Sequence, residues 1–396
     1  VSPILEQAHD LGAFRTAIRS WLQETCPPPA EAGELADDAA MERVQRNWMV
    51  QLGKVGLATP HWPVDAGGAG LGLRHQIIIA DEMARAVAPR QTMYVVSLNQ
   101  VPATLLAWGT REQKERYLPG VAEGVMWCQG FSEPGSGSDL ASLRTLARRE
   151  GGDYIVNGQK VWSSYSMYAQ YCILLARTDP DARKHSGLSC FIMEMKSPGV
   201  EVRPIRQSTG RADFAELFLQ DVRIPVANRI GPENQGWAVG QTTLASERGV
   251  LAFEHAERLR YQMERFYGNA LKTNASWLSD DQLRREFMRF VTQLQALRGL
   301  IRELLEHNDK IPQSPTVAPS VIKFVRSTLA QRFAAFATLV GGPRAQFMKP
   351  AADGAGPATA HALHDFIESY GSTIAGGTNE IQLNIISERG LGMPRG

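Results

Sequence analysis

The sequence predicts an α+β multidomain fold: an N-terminal helical domain, a central antiparallel β-barrel or sandwich, and a C-terminal domain resembling a four-helix bundle. Three observations carry this reading. Apolar residues recur at helical spacing in the first third of the 396-residue chain and again from about Gln235 onward. Between those zones the apolar residues form short runs punctuated by Gly and Pro, as strands do. The strand-like runs do not alternate with helical stretches, which excludes a parallel Rossmann sheet. The expected domains are residues 1–124, 125–234 and 235–396.

In the first zone Phe14, Ile18, Trp21 and Leu22 mark one helix, closed by Pro27-Pro28-Pro29. Val44, Trp48, Leu52 and Val55 mark a second. Pro60 to Gly72 reads as a loop whose glycines do not match a dinucleotide fingerprint. Ile77 to Met83 resumes helix. In the second zone Asp153 to Trp162 reads as a hairpin with Asn157-Gly158 as its tight turn. Tyr171–Ala176, Cys190–Met195 and Glu216–Leu219 are further strands. In the third zone Leu283–Leu305 and Val321–Val340 are long amphipathic helices, the second stopped at Gly341-Gly342-Pro343. Met348 to Pro357 reads as loop, and Asn379 to Arg389 as a closing helix.

Composition narrows the function. Hydrophobic residues make up 43% and charged residues 21%, with a formal net charge of +1. No basic run exists to hold nucleic acid or an anionic membrane. No apolar stretch reaches the roughly 20 residues of a membrane helix. The first residues show no basic segment followed by an apolar core, so export is not expected and a cytoplasmic location is. Cys26, Cys128, Cys172 and Cys190 form neither a CxxC pair nor a zinc-like spacing and read as thiols of a reducing compartment.

Four segments carry candidate chemistry. Glu247 lies in Leu244–Leu251, which reads as helix, with Thr243, Leu244, Val250 and Leu251 three or four residues away. None is basic, so Glu247 reads either as a carboxylate of raised pKa suited to accept a proton, or as a surface or ion-paired residue. Gly130 to Asp139, rich in Gly and Ser, follows an apolar stretch. It can offer backbone N–H groups and hydroxyls to a flat polar ligand, or form a flexible turn. Trp162-Ser163-Ser164 can stack on a planar ring and bond its edge, or Trp162 can be core. Gly376-Gly377 runs into a helix that Thr378 or Asn379 can cap, with free N–H groups at its start.

Together these segments resemble the acyl-CoA dehydrogenase family. The matching motifs are Ser132-Glu133-Pro134-Gly135-Ser136-Gly137-Ser138-Asp139, then Asn157 to Trp162, then Gly377 to Gln382, in family order and spacing. The resemblance implies FAD. It implies that Phe131 and Ser132 lie against the isoalloxazine, that Trp162, Ser163 and Ser164 cover its other side, and that Thr378 and Glu380 contact the adenosine half. Gln129, Ser138, Gly341 and Gly342 join the cofactor set, and Ser138 also reaches the pantetheine or phosphate region of the substrate. The implied reaction is α,β-desaturation of an acyl-CoA thioester: a carboxylate takes the α-proton and flavin N5 the β-hydride. The Gly376 N–H would help hold the thioester oxygen.

Many members carry the base two residues before the Thr of the C-terminal Gly-Thr motif, a position occupied here by Gly376. A minority, similar to isovaleryl- and long-chain-type enzymes, place Glu before Arg on the helix after the β domain, which is Glu247 before Arg248. Arg248 then orients the substrate side or forms a structural ion pair. The small Ala375-Gly376-Gly377 loop implies a branched or bulky, steroid-like acyl group. Glu254 competes as base, but Arg258 four residues on gives it an ion-pair partner. Where many tetrameric members carry Arg-x-x-Phe-Gly for a neighbour's FAD diphosphate, this chain reads Glu264-Arg265-Phe266-Tyr267-Gly268, and Arg284 and Arg285 are the substitutes. Implied partners are an electron-transferring flavoprotein as acceptor and either three identical subunits or a related chain in a tetramer. The alternatives are an oxygen-using oxidase or monooxygenase of the same fold, and a non-catalytic subunit of a heteromeric dehydrogenase.

Overall fold

The computed structural model describes residues 2–27, 38–246, 250–306, 317–346 and 362–394. The helices are α1 (Pro3–Glu6), α2 (Leu11–Thr25), α3 (Asp38–Lys54), α4 (Leu73–Arg85), α5 (Val101–Trp108) and α6 (Arg111–Ala122) before the sheet. After it come α7 (Gly236–Ala245), α8 (Val250–Lys272), α9 (Asp281–Glu306), α10 (Ala318–Gly341), α11 (Ala362–Ile374) and α12 (Asn379–Ile385). The strands are β1 (Trp127–Gly130), β2 (Leu146–Glu150), β3 (Asp153–Ser164), β4 (Tyr171–Arg177), β5 (Leu188–Glu194), β6 (Val200–Ile205), β7 (Phe214–Pro225) and β8 (Arg229–Ile230). The three zones expected from periodicity are therefore present: helices, sheet, helices. Pro28, Pro29 and the Met348–Pro357 segment lie outside the described residues. Among the described residues no helix is long and apolar enough to cross a membrane.

Two compact units divide the chain. One holds α1, the first residues of α2, α3, α5, α6, the whole sheet and α7. Its eight strands form one sheet in the order β6-β7-β3-β2-β4-β5-β8, with β1 beside β4. Pairing is antiparallel except for β1 with β4 and a short parallel contact of β2 with β4. Alternate residues of these strands, among them Tyr154, Val156, Cys172, Leu174, Phe191 and Leu217, bury together in a core. Three of the four thiols are buried, and none of the four forms a disulfide.

The hairpin expected at Asn157-Gly158 is not there. Asp153 to Ser164 is a single strand of 12 residues, and the real turn is Gly151-Gly152, which joins Glu150 to its partner Asp153. Asn157-Gly158 instead forms an irregularity at which the β3–β7 register shifts. The Asn157 side chain replaces the lost ladder bonds: its Nδ2 donates to Asp221 Oδ1 at 3.0 Å, and the Asp221 N–H donates to its Oδ1 at 2.9 Å. Glycine is needed beside it because a Cβ on Gly158 would lie 2.4 Å from Thr145 Oγ1. The same dipeptide thus serves close packing rather than chain reversal.

The other unit holds the end of α2, α4 and α8 to α12. Phe266, Trp277, Phe287, Phe290, Phe333 and Phe336 fill its core with stacked and edge-on rings. Two buried carboxylates are neutralised in place. Glu82 pairs with Arg19 at 2.7 Å and Arg85 at 2.9 Å, and Glu257 pairs with Arg260 and Arg298, each at 2.6 Å. Glu254 and Arg258 form the ion pair their spacing predicts, at 2.8 Å.

Candidate active site

The first group of site residues is built by the ends of β1 and β3. Chain leaving β1 carries Phe131 and Ser132, and the Val161 N–H of β3 donates to Ser132 O at 2.9 Å. Lys160, fully buried, bridges the same two segments. Its Nζ donates to Phe131 O at 3.1 Å and to Glu133 Oε1 at 2.8 Å. Glu133 also accepts from the Arg144 and Thr145 N–H groups at 2.7 and 2.8 Å. Burial pushes the Glu133 carboxyl up, but Lys160 and these donors outweigh it and hold it below its ordinary range. Burial draws the Lys160 ammonium down to about 8 against the pull of Glu133.

That pairing makes the Ser-Glu-Pro-Gly loop a fixed structure. Glu133 and Ser136 exchange two backbone hydrogen bonds of 3.0 Å, and Ser136 Oγ donates to Asp139 O at 2.7 Å. Ser138 stands exposed at the far end of this loop. Sequence reasoning missed Glu133 and Lys160, although both sit inside the quoted motifs. The available signal was a lysine in an otherwise strand-like run, Ile155 to Val161, which demands a buried counter-ion.

Trp162 is 58% exposed, so it is not core. Its φ of 61° is the left-handed region, at a second register shift between Lys160 and Ser163. The bulge turns the indole outward, where its one ring neighbour among the described residues is Phe214, edge-on at 6.0 Å. Ser163 is fully buried and Ser164 half-buried. Ser163 Oγ and Gln129 Nε2, both shielded from water, have no hydrogen-bond partner among the described residues. Buried polar atoms rarely stay unpaired, so this edge suits a flat ligand with polar atoms on its rim. An exposed indole and unpaired donors are what an isoalloxazine ring would require, and the residues present fit FAD.

The second group lies in the other unit, at the turn between α11 and α12. Gly376 and Gly377 have φ of 67° and 88°, left-handed values that favour glycine. Gln382 Nε2 donates to both of their carbonyls, at 3.1 and 3.2 Å. Thr378 caps α12 by accepting from the Ile381 N–H at 3.2 Å, and Glu380 is exposed in the first turn. Asn379 does not cap; its side chain meets Lys323 and Ser327 of α10. Burial, aided by Arg326, draws the Lys323 amine down to about 8. Gly341 ends α10 and Gly342 follows with φ 60°. Gly341 lies 18 residues beyond Lys323, about 27 Å along the helix, so the structure does not bring this end of α10 to the turn.

Helix α7 closes at Ala245 and α8 opens at Val250. Glu247 and Arg248 lie outside the described residues. Arg284 and Arg285 are exposed on α9, Arg284 paired with Asp281.

Comparison with known proteins places this arrangement. Residues 9–125, 128–222 and 234–391 match the N-terminal, middle and C-terminal domains of acyl-CoA dehydrogenase. The chain is 34% identical to acyl-CoA dehydrogenase IpdE1 of Mycobacterium tuberculosis (strain ATCC 25618 / H37Rv), over 98% of each protein. It belongs to the acyl-CoA dehydrogenase family. Members of this family are FAD-dependent oxidoreductases that dehydrogenate acyl-CoA thioesters. Acyl-CoA dehydrogenase FadE34 of the same organism is 35% identical over 99% of this chain, which spans 55% of FadE34. Among solved structures, the Tcur3481-Tcur3483 steroid ACAD superposes with a TM-score of 0.86 at 29% identity, over 98% of each chain.

Proposed function

We propose that the chain catalyses α,β-dehydrogenation of an acyl-CoA thioester bearing a branched or ring-containing, steroid-derived acyl group, with Glu247 as the base. The observation that carries the reading comes from the ends of β1 and β3: an indole turned outward on β3, and shielded polar atoms of Gln129 and Ser163 that nothing in the described chain satisfies. Phe131, Ser132, Gln129 and Trp162 to Ser164 would hold the flavin ring, and Thr378 and Glu380 its adenosine half. Bound FAD supplies a two-electron acceptor for the β-hydride. Glu247 takes the α-proton, and exclusion of water by the bound thioester raises its basicity.

The Gly376 N–H supports a role at the thioester oxygen. Gly376 is exposed, in a turn whose carbonyls are pinned by Gln382. One donor of this kind is worth about 10²–10³ in rate. Ser138 serves the pantetheine or phosphate end, and Arg248 orients the substrate side. The steroid-acting neighbour supports the substrate class, and its paired name supports assembly with a related chain. Electrons leave to an electron-transferring flavoprotein.

That paired name also favours a second reading, a non-catalytic subunit of a heteromeric dehydrogenase. Glu247→Gln decides between them. The variant keeps its yellow colour and binds thioester, but desaturation falls by about 10³-fold or more, roughly 4 kcal/mol of transition-state stabilisation. Near-normal turnover in the variant places the base elsewhere, and no turnover in the parent protein favours the second reading. Fast reoxidation of the reduced flavin in air identifies an oxygen-using enzyme instead.

A further inference from the structure

We propose that Lys323 is a positioning residue that sets the backbone of the Ala375–Thr378 turn and so aims the Gly376 N–H. The proposal rests on the reading of that N–H given above. The lysine sits on α10, one helix away from the turn, and its ammonium joins both of the turn's flanks. It donates to Thr373 O at 2.9 Å, in the last turn of α11, and to Asn379 Oδ1 at 2.8 Å, in the first turn of α12. Cations at a helix C-terminus and polar anchors at an N-terminus are each favourable alone. Here one group does both, which fixes how the end of α11 faces the start of α12.

The rest of the turn is held from the same two directions. Ser327 Oγ, one helical turn along α10, lies 2.9 Å from Asn379 Oδ1. On the opposite side Gln382 Nε2 takes the carbonyls of Gly376 and Gly377. Two consecutive left-handed glycines have no side chains to resist rotation, so this turn has little stiffness of its own. The network supplies it. A donor aimed at a developing oxyanion must be fixed to within a fraction of an ångström, and misplacement by about 1 Å costs up to about 10²-fold.

The test uses the full-length protein loaded with FAD, and acetoacetyl-CoA as probe. This thioester has acidic α-protons, and its enolate beside a flavin gives a long-wavelength charge-transfer band. At saturating probe, the pH midpoint for the band reports how well the site stabilises the thioester enolate, independent of occupancy. Lys323→Met raises that midpoint by about one pH unit, a tenfold loss in enolate stabilisation. Lys323→Arg falls between it and the parent. If Lys323→Met does not fold, Asn379→Ala breaks the same bridge from its other end and shifts the midpoint the same way. An unchanged midpoint at saturation, with only a lower unfolding temperature, makes Lys323 structural and overturns the proposal while leaving the function standing. A parent protein that gives no band with this probe overturns both.

Discussion

Trp162 shows how one residue's conformation argues for its use. A bulky side chain in the left-handed region costs about 1–3 kcal/mol, which the surrounding strand must offset. Its indole is 58% exposed and therefore recovers only part of its burial energy in the isolated chain. Removing it should cost the fold little. We expect Trp162→Ala to unfold at a temperature close to that of the parent, with FAD affinity weaker by about 3–10-fold, the worth of one aromatic contact. Trp162→Gly, free of the left-handed penalty, should be more stable than Trp162→Ala by about 1 kcal/mol. Thermal unfolding and flavin titration of both variants check this. A large stability loss in both, with unchanged flavin affinity, would make the indole a packing residue.

At the scale of elements, the ion pair of Glu133 and Lys160 joins the chain leaving β1 to β3, and hence the two segments proposed to hold the flavin. Breaking a buried pair from one side leaves an uncompensated charge. Glu133→Gln should therefore destabilise by about 3–5 kcal/mol, and a paired apolar replacement such as Glu133→Leu with Lys160→Met by much less. The signs with pH follow from each group. Glu133 is held below its ordinary value of 4.5, so its stabilisation is present above that pH and fades as pH falls through the lower folded value. Lys160 is drawn from 10.5 to about 8, so its contribution becomes more favourable as pH climbs between those values. Urea midpoints against pH should show both limbs in the parent and neither in the double variant. The order of helices and strands was legible because burial periodicity differs between the two, as Phe14, Trp48 and Leu174 illustrate. The path of β3 was not, because Asn-Gly serves a tight turn and a bulge equally well, and only the partner strand chooses. Lys160, Lys323 and Gln382 escaped notice for the same reason: their roles depend on groups far away in sequence, Glu133, Thr373 and the glycine carbonyls.

Across the whole molecule, the substrate is the property that the fold leaves most open and that one position constrains. Where many family members carry a carboxylate side chain, this chain has Gly376, exposed and in a left-handed turn with Gly377. On the proposed reading, with Glu247 as base, the volume of that missing side chain would fall to the acyl group. Filling or emptying a few methylene volumes changes discrimination by about 10–200-fold in an apolar pocket. Titrating the yellow protein with straight-chain, branched and steroid-derived acyl-CoA thioesters should thus bleach the flavin at least about tenfold more efficiently with the branched or ring-bearing compounds. The same panel, repeated with a related chain co-expressed, reads assembly at once. The sequence Glu264 to Gly268 lacks the Arg-x-x-Phe-Gly spacing, so on the proposed reading other groups would meet a neighbour's diphosphate. If a related partner supplies the matching half, flavin content and bleaching rise together on co-expression. Equal bleaching by octanoyl-CoA and a steroid-derived thioester, from the chain expressed alone, would instead mark a homomeric enzyme of ordinary fatty acyl groups.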